Sequence, residues 1–142
     1  MAHPYTALTL LHRNFFARAI LETPTDPDPA KTAFGPSFLS AYRTAVVTLR
    51  VLRENFDALA HLLLRVWPMW AYALGNCVII GSVAALGARS ALAQEAFGEF
   101  DKAIGLFAKG QMHPVAKSGL VCVLYSLVSS TLLYSSLLYS TS

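Results

Sequence analysis

Glu95 and Glu99, one helical turn apart, are the nearest thing in this 142-residue chain to a catalytic pair. Residues at i and i+4 share a helix face, and paired carboxylates do general acid–base work when they are close and desolvated. The apolar residues around them, Ala93, Phe97, Phe100, Ile104 and Phe107, recur at helical spacing on what reads as the opposite face. Both acids are therefore expected in water, as solvated charges. The four histidines, His3, His12, His61 and His113, lie near a chain end, near prolines, or in helical stretches without an adjacent carboxylate. Cys77 and Cys122 belong to no CxxC pair and have no histidine at ligand spacing, so they read as two thiols in apolar surroundings. Asp26 and Asp28 supply two oxygen ligands, too few for a calcium or magnesium site, and read as turn residues. Trp67, Trp70 and Tyr72 would offer a stacking surface for bases or sugars if a basic groove accompanied them; without one they read as an aromatic cluster at the head of a buried helix. No GxSxG, HExxH, GxxxxGK[ST] or GxGxxG pattern occurs. The residues thus lead us to expect no catalytic, cofactor-binding or metal site and no enzyme.

Composition narrows the classes further. Hydrophobic residues make up 55% of the chain and charged residues 13%, against about 25% charged in an ordinary globular domain. One domain of this size cannot hide that much apolar surface alone, so it must meet a membrane, a partner or the rest of a larger protein. The net charge is +3, from 11 basic and 8 acidic residues. The tightest basic group, Arg43, Arg50 and Arg53, is one side of a helix and no groove, so direct nucleic-acid contact is not expected. Met1-Ala2-His3-Pro4-Tyr5 lacks the basic region and apolar run of a secretory signal.

The elements that would position these residues are helices. Residues 5–21 carry Leu8, Leu11, Phe15, Ala19 and Ile20 at helical intervals, with Pro4 suited to a first turn. Pro24, Pro27 and Pro29, then Gly35-Pro36, make 22–36 read as a loop. Ser37 is placed to cap a helix over 37–57, whose apolar stripe is Phe38, Tyr42, Ala45, Leu49, Leu52 and Phe56. Its wet side is Arg43, Thr44, Arg50, Arg53, Glu54 and Asp57, and 58–65 either continue the helix or break and restart. Residues 66–88 carry no charge and contain Gly75, Gly81 and Gly87. Residues 90–109 return to an amphipathic helix, with Ser90 as cap, Lys109 in the last turn and Gly110 as stop. Pro114 opens a last segment, and from 118 to 142 the chain is an uncharged run of Ser, Leu and Tyr with a near-repeat at 132–136 and 137–140.

Two stretches, 66–88 and 118–139, are long enough to cross a bilayer, which needs about 20 apolar residues. The first is dilute in strongly apolar residues and holds Asn76. It is also flanked by two half-apolar helices that need a mate in water. A central apolar helix wrapped by its neighbours satisfies all three. The expected fold is all-α, an irregular bundle of about five helices around that central helix. The expected core is Phe15, Phe16, Phe38, Tyr42, Leu49, Phe56, Trp67, Trp70, Val78, Ile79, Phe97, Phe100 and Ile104.

Three stretches resemble the regulatory middle homology region of fungal binuclear zinc-cluster (Zn2Cys6) transcription factors. They are Leu11-His12-Arg13-Asn14-Phe15-Phe16-Ala17-Arg18-Ala19; the proline-broken acidic loop followed by Phe34-Gly35-Pro36-Ser37-Phe38-Leu39-Ser40-Ala41-Tyr42-Arg43; and Arg65-Val66-Trp67-Pro68-Met69-Trp70 running on to Val78-Ile79-Ile80-Gly81-Ser82-Val83. The likeness spans roughly residues 8–117. Asn14 stands where the family often has proline, and beyond Lys117 the family continues as a charged helix whereas this chain turns uncharged. The resemblance implies an all-α regulatory fragment, residues 1–117, acting in the nucleus through contacts with the rest of a larger factor, another protein or an effector. Zinc would belong to a separate N-terminal six-cysteine module, and none is expected in this chain. The 118–142 tail reads as foreign to that domain, as translated intron sequence or a membrane contact. Two rivals follow: a small integral membrane protein with helices near 66–88 and 118–139, and a truncated, non-functional gene product.

Overall fold

The computed structural model describes residues 3–21, 28–86, 90–121 and 125, and every regular element among them is helical. Helix α1 is His3–Leu21, α2 is Gly35–Leu63, α3 is Trp67–Ala85 and α4 is Ala93–Lys109. A 3₁₀ turn, Pro29–Lys31, precedes α2, and residues 114–121, here α5, are helical. The fold is all-α, as composition and periodicity led us to expect. Helix α3 packs against both α2 and α4, and α1 packs on α2 and reaches α3 through the Thr9–Asn76 hydrogen bond. The central apolar helix is therefore α3.

Each amphipathic helix buries one stripe. On α2 the buried residues include Phe38, Ala41, Tyr42, Ala45, Leu49 and Phe56, repeating at three and four residues. On α3 they are Trp70, Ala73, Asn76, Cys77, Ile79, Ile80 and Val83. On α4 they include Ala96, Glu99, Phe100, Ala103, Leu106 and Phe107. Burying a large apolar side chain contributes about 1.5–3 kcal/mol, so Trp70, Phe38 and Phe107, all fully buried, outweigh any single surface contact.

Several boundaries and faces differ from expectation. Residues 22–27 of the expected loop lie outside the described residues, but Gly35-Pro36 opens α2 instead of ending a loop, because proline is tolerated in a helix's first turn. Ser37 is therefore inside the helix and does not cap it; its hydroxyl shares a 3.2 Å hydrogen bond with His12 Nδ1 on α1. Helix α2 runs unbroken to Leu63. Helix α4 starts at Ala93, with the Ser90 hydroxyl accepting the Leu92 N–H one turn earlier. Thr44, expected on the wet side, is buried, and its carbonyl accepts the Thr48 hydroxyl at 2.8 Å.

Four expected core residues are exposed: Phe15, Trp67, Val78 and Phe97, the last three by more than half. Phe97 sits about 100° around α4 from the centre of its buried stripe, by the 100° step of an α-helix, because Ala96 and Ala103 take the central positions. Val78 lies opposite the buried side of α3, a helix apolar all round that periodicity alone cannot orient. Trp67, eleven residues before Val78 and so on the same side of α3, is exposed with it. Phe15, like Leu8 and Leu11, faces outward because α1 buries Thr9, Phe16 and Ala19 instead. Phe15 stacks on Phe34 at 6.1 Å, and the Arg18 guanidinium lies 4.6 Å from the Phe34 ring centroid.

Candidate functional site

The acidic pair does not survive as a pair. Glu95 is exposed, whereas Glu99, expected in water, is buried against α2. The reason is its flank position on α4, on the side facing the α2 arginines. Lys102 Nζ donates to Glu99 Oε1 at 2.8 Å, while Arg53 Nη1 lies 3.7 Å from Oε2 and Arg50 Nη2 3.8 Å from Oε1. Burial raises the Glu99 carboxyl, but the Lys102 hydrogen bond and the charges of Lys102, Arg53 and Arg50 outweigh it and hold the group below the ordinary glutamate value. Such a carboxylate stays ionised and surrounded by cations, the opposite of what a general acid or base at neutral pH requires. On the same side, the Tyr42 hydroxyl is buried without a hydrogen-bond partner. Burial first, then the charges of Glu95 and Glu99, push its pKa up to about 12. Asp57, on the exposed side of α2, instead pairs with Lys109 at 3.0 Å.

The remaining chemistry-bearing residues serve the packing. Cys77 is buried on α3 and is a free thiol; burial pushes it up to about 12, leaving no thiolate near neutrality. Cys122 lies outside the described residues. Asp28 accepts the Ala30 N–H at 3.1 Å, the turn role expected of it, and Asp26 lies outside the described residues. His61 is exposed. His113 is buried, which its place beside Pro114 did not reveal. Its Nδ1 accepts the Val115 N–H at 3.2 Å, so the imidazole caps the first turn of α5. Among the described residues no three His, Cys, Asp or Glu side chains gather as a metal site would need.

Trp70 is where these residues converge. Its indole N–H donates to the Leu63 carbonyl at 3.0 Å, and its ring meets Phe56 edge-on at 6.1 Å, Phe107 at 5.7 Å and His113 at 6.1 Å. The aromatic-cluster reading therefore holds for Trp70, and Trp67 and Tyr72 stand outside it. Gly110 is needed there because a Cβ would collide with the Trp70 ring.

A concavity among the described residues is apolar. A groove of about 870 Å³ runs between α1 and α3, with Leu10, Ala17 and Leu21 on one wall and Leu74, Val78 and Ser82 on the other. Thr9 and Asn76, both buried, line it and share a hydrogen bond at 3.3 Å from the Thr9 hydroxyl to Asn76 Oδ1. Arg13 and Asn14 contribute its polar lining on α1. Leu10, Leu21, Tyr72 and Val78 are all exposed. The groove went unread in the sequence, although a signal was there: α1 carries a second apolar line, Leu10, Ala17, Leu21, beside its core line. A helix apolar on two sides calls for two covers.

Compared with known proteins, the chain matches no family model, no curated protein and no solved structure.

Proposed function

We propose that the chain is a non-catalytic helical module that works by packing against protein, the regulatory module of a fungal zinc-cluster transcription factor acting in the nucleus. The observation that carries the packing role is the open apolar face of α1 and α3, with exposed Leu10, Leu21, Tyr72 and Val78 flanking the groove. Contiguous apolar surface left open on a folded domain marks an interaction site. The committed state of the polar residues supports the same reading. Glu99 is held by three cations, the Cys77 thiol is protonated, and His113 is spent on a helix cap. The transcriptional part rests on the three stretches of resemblance given above. In this reading no zinc is bound by this chain and no base is contacted by it.

The test is to tether the full chain to an unrelated zinc-cluster DNA-binding module and read a reporter. Output should change by about fivefold, the lower end of ordinary coupling between sites, and the fusion should be nuclear. Output equal to that of the DNA-binding module alone would remove the reading.

A second reading is favoured by one observation. Helix α3 is 19 residues long and apolar enough to cross a membrane, and 118–139 is a second uncharged stretch. Against it, α3 buries Asn76 beside Thr9 of α1 and Cys77 and Ile80 in the core, and its neighbours α2 and α4 carry exposed Arg50, Asp101 and Lys102. Recovery of the chain in a carbonate-resistant membrane pellet would replace the first proposal with this one.

A further inference from the structure

The α1–α3 groove gathers its polar groups at one level and is apolar along the rest. Arg13 is the only charged residue among those lining it. It stands one turn after Thr9 on the same strip of α1, and the Thr9 hydroxyl donates to Asn76 Oδ1 on α3 at 3.3 Å. Asn76 is only 2% exposed, and its amide N–H groups have no hydrogen-bond partner among the described residues. Asn76 lines the groove, so these donors are offered to it. A guanidinium on one wall and an amide N–H pair on the other thus stand at the same height, and no carboxylate lines the groove to answer them. Donors left unanswered in an apolar setting are costly, and an oxyanion is the group that satisfies both. The lining beside them is opened by Gly75. Glycine inside a helix is less stable than alanine. At Gly81 on the same helix the Phe100 ring takes the place of a Cβ, but a Cβ at Gly75 would meet nothing among the described residues. Packing within the described fold does not ask for glycine there; its effect is to leave room in the groove next to Asn76.

We infer that this groove binds a small single-chain amphiphile with one anionic head, a carboxylate of the fatty-acid class. The head lies between Arg13 and the Asn76 amide, and the hydrocarbon lies along Ala17, Ile20, Leu74, Val78 and Ile79. Charge selects the class. One cation with donor groups beside it matches one anion; a cationic head would meet Arg13, and a hydrocarbon without a head would leave the donors unanswered. A polyanion would bring charges that nothing in the apolar lining repays. Size agrees, because about 870 Å³ falls within the roughly 300–1,000 Å³ of small-molecule sites. The exposed rim residues Leu10, Leu21 and Tyr72 stay outside the ligand, so a bound amphiphile becomes part of the surface that another protein meets. That consequence rests on the packing role proposed above; the binding itself does not.

The probe is decanoate, titrated by calorimetry into the full chain, with decanol and decyltrimethylammonium carrying the same tail under a neutral and a cationic head. Decanoate should bind at one site per chain, about tenfold more tightly than decyltrimethylammonium. Arg13→Glu, at an exposed position, should reverse that preference. Gly75→Leu fills the groove from a point where a Cβ meets nothing and should weaken decanoate by about tenfold. Phe97→Gln, at an exposed apolar residue on α4, should leave binding as it was. Helical circular dichroism should be unchanged in all three variants, and if Gly75→Leu fails to fold, the reversal at Arg13 decides alone. A decanoate analogue with a diazirine at the end of its chain should label peptides of α1 or α3. Equal binding of the three probes overturns the inference. So does a preference untouched by Arg13→Glu, full binding by a folded Gly75→Leu variant, or a label that reaches neither α1 nor α3. Decanoate bound as described beside a silent reporter would reject the transcriptional reading alone, and an active reporter without decanoate binding would reject this site alone.

Discussion

Glu99 tolerates its buried place only because Lys102, Arg53 and Arg50 surround it. Its worth is that of a partly solvated pair: Lys102 and Arg50 are about half exposed, and both arginines lie beyond hydrogen-bond range. We expect Glu99→Gln to destabilise the fold at pH 7 by about 1 kcal/mol, the upper end for solvated ion pairs. The sign with pH follows from the lowered folded-state value. In the unfolded chain a glutamate titrates near about 4.3, so on acidification the unfolded state takes the proton first. The contribution is complete above that value and is lost as pH falls through the folded one. Urea midpoints at neutral and acid pH should therefore converge for wild type and variant; a gap that persists at acid pH would refute the ion-pair origin.

Helix faces are chosen by neighbours more than by composition. In α4 the small residues Ala96 and Ala103 are buried at the centre of the stripe together with Phe100 and Phe107, the Phe100 ring lies where Gly81 of α3 leaves room for it, and Phe97 is left outside. Counting large apolar residues pointed to Phe97 because a phenylalanine outweighs an alanine in any hydrophobic tally, whereas close helix packing rewards small side chains. Phe97→Gln should change stability by less than about 0.5 kcal/mol, and Phe100→Ala should cost about 3–5 kcal/mol, both read from chemical denaturation. Equal losses at the two positions would return the stripe to where spacing alone placed it.

Over the whole molecule, Trp70 joins what would otherwise be separate helix pairs. It touches Phe56 and Leu63 on α2, Phe107 on α4, and His113 at the head of α5. The turn at Gly110 passes against its ring with no room for a methyl group. Gly110→Ala should therefore cost about 1–3 kcal/mol through overpacking. Because the joint is shared, tryptophan fluorescence and helical circular dichroism should shift together in one transition. A fluorescence change that leaves the helical melt untouched would confine Trp70 to a local role.

Read alone, the residues settled the class of the protein: 3.6-residue periodicity in α2 and α4, the proline cluster before α2, and a charge-free helix that needed cover all pointed to an all-α bundle around α3. They also located the Asp28 turn and the Gly110 stop, since these depend on local backbone preferences that each residue carries with it. Which face each helix buries, why Glu99 is held by α2 while Glu95 is not, how His113 caps α5 against Trp70, and that a groove stands open between α1 and α3 were decided by tertiary structure alone. The reason is physical. Amphipathic spacing encodes a direction only when polar residues mark the other side, and α1 and α3 are apolar on more than one. Burial of a charge depends on partners as far off in sequence as Arg50 is from Glu99.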